Sequence, residues 1–175
     1  MGRRIVVVGG VAGGATAAAK ARREDEQADI AIFERGPYVS FANCGMPYYI
    51  GGEIVDRDSL LLMTPESFYR KYRVVVHVGH EVVALDRRAK EVLVLDASGE
   101  EHKHRYDKLI LSQGAAPLLP PIKGIDRTHV FTLRDMPDMD RIEAFIDQNH
   151  PESALVIGGG FIGLEMAEAF HHRGM

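Results

Sequence analysis

The chain holds one cysteine, Cys44, in the run Ser40-Phe41-Ala42-Asn43-Cys44-Gly45-Met46-Pro47-Tyr48-Tyr49-Ile50-Gly51-Gly52. A lone thiol forms no disulfide within its own chain, so Cys44 is either a small buried hydrophobe or a reactive thiolate. The flanking residues speak for the second. Asn43 is a good helix N-cap, Pro47 fits a first helical turn, Tyr48-Tyr49-Ile50 continues it and Gly51-Gly52 closes it. Cys44 is thereby expected at the positive end of a short helix, where unpaired N–H groups stabilise a thiolate. Such a sulfur suits redox exchange or nucleophilic attack.

Two glycine-rich runs supply the second chemistry. Ile5-Val6-Val7-Val8 reads as a buried parallel strand, and Gly9-Gly10-Val11-Ala12-Gly13-Gly14 follows it directly. Ala15 to Arg23 then reads as a helix, and Asp29-Ile30-Ala31-Ile32-Phe33 as a strand ending at Glu34. Strand, glycine turn, helix, strand and terminal acid match a dinucleotide-binding fingerprint, although Val11 stands at its third position. Glycine lets the backbone approach a pyrophosphate, the helix N-terminus receives its charge, and Glu34 accepts hydrogen bonds from a ribose. The pattern recurs at Ala154-Leu155-Val156-Ile157 and Gly158-Gly159-Gly160-Phe161-Ile162-Gly163, followed by a helix over Leu164 to Arg173. Two fingerprints in one chain are far more specific than one.

Between them, Thr64-Pro65 opens a helix through Tyr72. Alternating runs at Val74 to Val78, Glu81 to Leu85, Glu91 to Leu95 and His102 to Arg105 predict an antiparallel meander inserted into a parallel α/β fold. Tyr106 to Leu111 returns as a buried strand. Pro117, Pro120, Pro121 and Gly124 mark a domain crossing, and Asp138 to Asp147 a helix opened by Asp135 and Pro137. Thr16, Lys20 and Arg23 share one face of the first helix. Spacing alone favours a solvated charged face there over a phosphate-binding strip. The histidines have no recognised ligand spacing, so no metal is assigned.

With 46% apolar and 26% charged residues in 175, the composition is that of an ordinary soluble domain. A net charge of −4 gives no reason to expect nucleic acid. Met1-Gly2-Arg3-Arg4 and the alanine-rich run behind it imitate a secretory signal, but glycines break the run and it is too short to span a bilayer. One cysteine and no export signal point to the cytoplasm, with no membrane partner.

The two fingerprints and the Cys44 run together resemble the N-terminal part of a single-cysteine, FAD-dependent pyridine nucleotide-disulfide oxidoreductase. The resemblance covers all 175 residues, and its branch contains coenzyme A-disulfide reductases, NADH-dependent persulfide reductases and NADH oxidases. It implies a Rossmann-like FAD-binding domain (1–116) with a β-meander insertion, then the truncated start of a second Rossmann-like, NAD(P)-binding domain (117–175). FAD would be held by Gly9, Gly10, Val11, Ala12, Gly13, Gly14, Glu34, Arg35, Asn43, Val82, Ser112 and Gly114. NAD(P)H would be held by Gly158, Gly160, Phe161, Ile162, Gly163 and Glu165. Cys44 would be the catalytic thiol. Coenzyme A would be bound by Thr16, Lys20, Arg23, Ser40 and Asn43, with Lys71 and Arg22 weaker candidates.

Ala12 and Asn43 favour a disulfide or persulfide oxidant, because the oxidases and peroxidases usually carry histidine at the first position and lack the asparagine. The alternative is an oxidase or peroxidase cycling through a Cys44 sulfenic acid. The full-length protein is expected to be a homodimer acting on a small thiol or disulfide. The 175-residue chain alone is expected to be inactive, a nucleotide-binding module that exposes apolar sheet edges.

Overall fold

In the computed structural model, which describes residues 2–175, the β-branched runs become strands. In chain order the elements are β1 (Arg4–Val8), α1 (Ala12–Glu24), β2 (Asp29–Glu34), α2 (Met46–Ile50), α3 (Pro65–Tyr72) and β3 (Val75–Val78). There follow β4 (Glu81–Asp86), β5 (Glu91–Leu95), β6 (Glu101–Arg105), β7 (Lys108–Leu111), α4 (Met136–Asn149) and α5 (Phe161–His172). Contacts divide the chain into two units. One takes the residues up to Phe41 with Leu61–Gly114, the other Ala42–Leu60 with Ala115–Met175.

The first unit is built on a parallel sheet in the order β3-β2-β1-β7, with Val6 opposite Ala31 and Leu109. Both faces of this sheet are covered, which is why β1 and β2 are apolar at successive positions rather than alternate ones. Ile5, Val7, Ile30 and Ile32 pack with Ala15 and Ala18 of α1 and Phe68 of α3. Val6 and Phe33 point the other way, onto Val92 and Val94 of β5. Strands β4-β5-β6 form a separate antiparallel sheet, the expected meander.

Two expectations need correction. Val74 to Val78 is not a meander strand: β3 pairs parallel with β2, Ala31 opposite Val75. The cause is α3, whose capping box at Thr64 and Ser67 starts a crossover that returns the chain in the direction of β2. Phe68 and Val74 then bury together under the sheet. The run Ala154 to Ile157 is not a strand either. A strand exists through its ladder, and none of the described residues pairs with this run; Leu155 is 87% exposed.

In the second unit α2 packs against α4 and α5. Met46, Ile50, Met136, Met139, Ile142, Met166 and Ala169 are all buried. Asp135 caps α4 by accepting from Asp138 N at 3.0 Å, and Pro137 occupies its first turn, as expected. Among the described residues no helix is long and apolar enough to cross a membrane.

Candidate nucleotide cradles and the thiol turn

At the carboxyl end of β1 the chain turns at Gly9, whose φ of +92° lies in the left-handed region. A Cβ there would stand 2.2 Å from the Ser112 carbonyl oxygen, at the end of β7. A Cβ on Gly14 would stand 1.7 Å from the Gly9 carbonyl oxygen, so helix and turn touch through bare backbone. No described side chain caps α1 and its first turn carries no acid. The first-turn N–H groups beside Val11, Ala12 and Gly13 therefore face outward as a cradle for an anion.

Glu34 closes one side of this cradle. It is 9% exposed; Oε2 accepts from Gly10 N and Oε1 from Gly36 N, each at 2.7 Å. These bonds fix the carboxylate's orientation while leaving lone pairs on both oxygens for a ribose. The part played by Gly10 and Gly36 was not read from the sequence.

Ser40 holds another side: its φ is +50°, its N donates to Gly10 O at 2.9 Å, and its carbonyl accepts from Leu62 N. A left-handed serine pinned at both ends is the kind of local strain found at ligand clamps. Ser112 N donates to Val8 O, its Oγ would lie 3.2 Å from a Cβ on Gly13, and Gly114 follows with φ +71°. Val82 is half-buried against the Val6–Phe33 core, while Arg35 is exposed and pairs with Glu81 at 3.9 Å. The chain thus gathers Gly9–Gly14, Glu34, Ser40 and Ser112 at the carboxyl edge of the parallel strands, where such folds bind ligands. Glycines that a Cβ would obstruct and an oriented buried carboxylate fit the adenosine and pyrophosphate parts of a dinucleotide.

Thr16, Lys20 and Arg23 are exposed along α1, with Lys20 ion-paired to Glu24. Lys71 lies on α3 with its ammonium 5.2 Å from the Tyr72 ring centre. Arg22, weighed as a ligand contact, does something else. Its guanidinium donates to the carbonyls of Tyr72, Arg73, Asp25 and Glu26, tying the end of α1 to the end of α3.

Cys44 is exposed, in the middle of a 3-10 turn (Asn43–Gly45) that runs straight into α2. Pro47 lies in the first turn of α2 and Gly51-Gly52 ends it, as expected. Asn43 is not a cap. It is already helical as the first residue of the 3-10 turn, so its side chain makes no capping bond and its carbonyl accepts from Met46 N instead. A Cβ on Gly45 would stand 2.5 Å from Leu60 Cδ2, so a larger residue there would have to displace the Leu60 side chain. The result is an accessible sulfur on a tight, buttressed turn, which can attack a substrate brought to it.

The second glycine run repeats the first. Gly158 has φ +119°, and a Cβ on Gly163 would stand 2.1 Å from the Gly158 carbonyl oxygen, the same approach as Gly14 to Gly9. Gly160 is the N-cap of α5 and offers no side-chain acceptor. Phe161 and Ile162 are exposed beside it and Glu165 is half-buried. Among the described residues, Asp96, Glu100 and His102 bring ligand-type atoms together, on the turn between β5 and β6. Asp96 there accepts from Ser98 and Glu100 amides, which accounts for the cluster as turn chemistry.

The chain is 44% identical to a coenzyme A disulfide reductase of Staphylococcus haemolyticus over 174 residues, 99% of this chain and 39% of that protein. It is similar to the crystal structure of reduced Bacillus anthracis CoADR-RHD, with a TM-score of 0.96 and 48% identity, covering 100% of this chain and 32% of that one. A NAD-dependent persulfide reductase from A. fulgidus follows at a TM-score of 0.93 and 36% identity, covering 98% and 32%. The chain therefore spans about two fifths of the length of the curated relatives it matches. Residues 3–175 match the family described as pyridine nucleotide-disulphide oxidoreductase, and the chain belongs to that family.

Proposed function

We propose that the full-length protein is a flavin-dependent NAD(P)H:disulfide oxidoreductase whose oxidant is a coenzyme A disulfide or persulfide. The single observation that carries this is an exposed lone thiol on a buttressed turn, in a chain that also holds two glycine cradles. The similarity to the coenzyme A disulfide reductase supports the choice of substrate.

Gly9–Gly14 and the start of α1 would hold the FAD pyrophosphate, and Glu34 its ribose hydroxyls, with Arg35, Asn43, Val82, Ser112 and Gly114 around the cofactor. Gly158–Gly163 would seat NAD(P)H, Glu165 orienting the nicotinamide and Phe161 moving aside to admit it. FAD, when bound, supplies a two-electron relay from nicotinamide to sulfur. The Cys44 thiolate attacks one sulfur of the coenzyme A disulfide: a Cys44–coenzyme A disulfide forms, the old S–S bond breaks and one coenzyme A thiolate leaves. Two electrons from NAD(P)H then reduce the mixed disulfide, returning the Cys44 thiolate and releasing the second coenzyme A. Thr16, Lys20, Arg23, Ser40, Asn43 and Lys71 would bind the coenzyme A. Residues 1–116 would form the FAD domain and 117–175 the start of the NAD(P) domain, in a cytoplasmic homodimer.

Intact mass of the full-length protein, before and after reduction, tests this. A reducible coenzyme A-sized adduct on Cys44 is expected. Oxygen adducts without coenzyme A would overturn the substrate class in favour of sulfenic acid chemistry. Cys44→Ser should keep flavin and lose disulfide reduction; retained turnover would sink the mechanism.

A further inference from the structure

The segment carrying Cys44 is tied to α4 and α5 at several points within the second unit. Arg57 meets Asp140 of α4 through two bonds of 2.7 and 2.6 Å. Glu53 pairs with His172 Nδ1 of α5 at 3.3 Å. Gly51 presses on α5 so closely that a Cβ would stand 3.1 Å from Ala169 Cα.

Arg173 draws the joint together. Its Nη1 donates to the Ile50 carbonyl at 3.3 Å and to Glu143 Oε2 at 3.3 Å, and its Nη2 to Asp147 Oδ1 at 3.3 Å. Ile50 is the last residue of α2, so this carbonyl is one that the helix itself leaves unpaired. Glu143 is mostly buried, which pushes its carboxyl above the ordinary value, and Arg173 is the cation that faces it. Lysine presents a point charge, whereas the planar fork reaches a helix-end carbonyl and two carboxylates at once.

We propose that Arg173 is a positioning residue for Cys44: by joining the end of α2 to Glu143 and Asp147 from the end of α5, it sets where the thiol turn stands. This rests on the reading of Cys44 as the reacting thiol. It goes beyond that reading in placing a determinant of thiol geometry at the far end of the helix that begins the second glycine cradle.

The test uses full-length Arg173→Gln and Arg173→Lys, with two readouts that separate the halves of the reaction. Both readouts start from enzyme freed of any coenzyme A adduct by prior reduction: bleaching of flavin absorbance by NADH then draws on no Cys44 disulfide, whereas alkylation of Cys44 by iodoacetamide and turnover of coenzyme A disulfide both use its thiol. In Arg173→Gln, bleaching rate and NADH KM are expected to stay within about twofold, while kcat falls about tenfold, since small misplacements of a reacting group against bound substrate have effects of this order; alkylation is expected to change by about threefold or more, because the exposure and thiolate fraction of the sulfur follow where the turn stands. Arg173→Lys should recover part of the loss. Should Arg173→Gln not fold, Gly51→Ala keeps the charges, shifts the same joint by a few tenths of an ångström and is expected to show the same split. Wild-type alkylation and turnover in either variant, or bleaching that falls as far as kcat, would overturn the proposal. If the wild type itself fails to turn over coenzyme A disulfide, the proposed function fails, yet the alkylation contrast still decides the role of Arg173.

Discussion

Replacing Gly14 by alanine tests the first cradle most sharply. The new Cβ would lie 1.7 Å from the Gly9 carbonyl oxygen, whereas a tolerable C···O contact is about 3.3 Å. Helix and turn would have to separate by about 1.6 Å, and because both partners are backbone no rotamer change relieves the clash. Overpacking of this kind destabilises by about 3 kcal/mol, which for a unit the size of the first one lowers Tm by roughly 12–24 °C. Gly10→Ala is the graded comparison: its Cβ meets Ile32 Cγ2 and Val39 Cγ2 at 3.1 Å and Glu34 Cβ at 3.2 Å, contacts that ask the neighbours to give by only a few tenths of an ångström, so about 1 kcal/mol is expected. Gly159→Ala is the control, with nothing within 4 Å and an ordinary φ. The assay is flavin absorbance per polypeptide in the full-length protein, with Tm alongside. A Gly14→Ala protein that keeps full flavin and melts with the wild type would refute the claim that backbone contact between Gly9 and Gly14 builds the cradle.

Gly163→Ala meets the same obstacle at 2.1 Å from Gly158 O, so it should raise the NADH KM while leaving flavin content unchanged; a loss of flavin would count against separate cradles. Thr64→Ala removes the capping box of α3 and should lower stability by about 1 kcal/mol in thermal denaturation, with Ser67→Ala similar. Phe33 stacks on His77 at 5.0 Å and meets His104 in a tilted contact at 4.6 Å, and burial first, then neighbouring histidines, hold both imidazoles below their ordinary value. As pH falls through about 6.5 the unfolded chain takes up protons before the folded one, so stability is complete above that pH and is lost below it. His80, His102 and Arg4 add to the repulsion, and His104→Gln should flatten the slope of Tm against pH between 7 and 5.

What could be read from the sequence was what spacing encodes. Gly9, Gly14 and Glu34 are legible because strand, turn and helix have fixed lengths, so an acid that far along must return beside the turn. Thr64 and Asp135 are legible as caps because their partners lie three residues away. Asn43 misled because a 3-10 turn begins three residues before the helix proper, and only the backbone decides which residue stands outside it. Val74 to Val78 has the alternation of a meander strand, but its direction is set by the crossover through α3, which alternation does not encode. The structural bonds of Arg22 and Arg173 were missed for a common reason: their acceptors lie 50 and 123 residues away, and no local signal marks a charge that will end on a distant helix terminus.

The excursion that carries the thiol leaves and rejoins the chain at one narrow neck. Phe41 bridges Leu61, Ala42 N donates to Leu60 O at 2.8 Å, and Leu62 N donates to Ser40 O at 3.0 Å. Insertions whose ends already touch can be exchanged at little loss to the scaffold that hosts them. Residues 42–60 thus form a cassette. Evolution can retune the reactive sulfur or lengthen its loop, and the pairing of the parallel strands need not change.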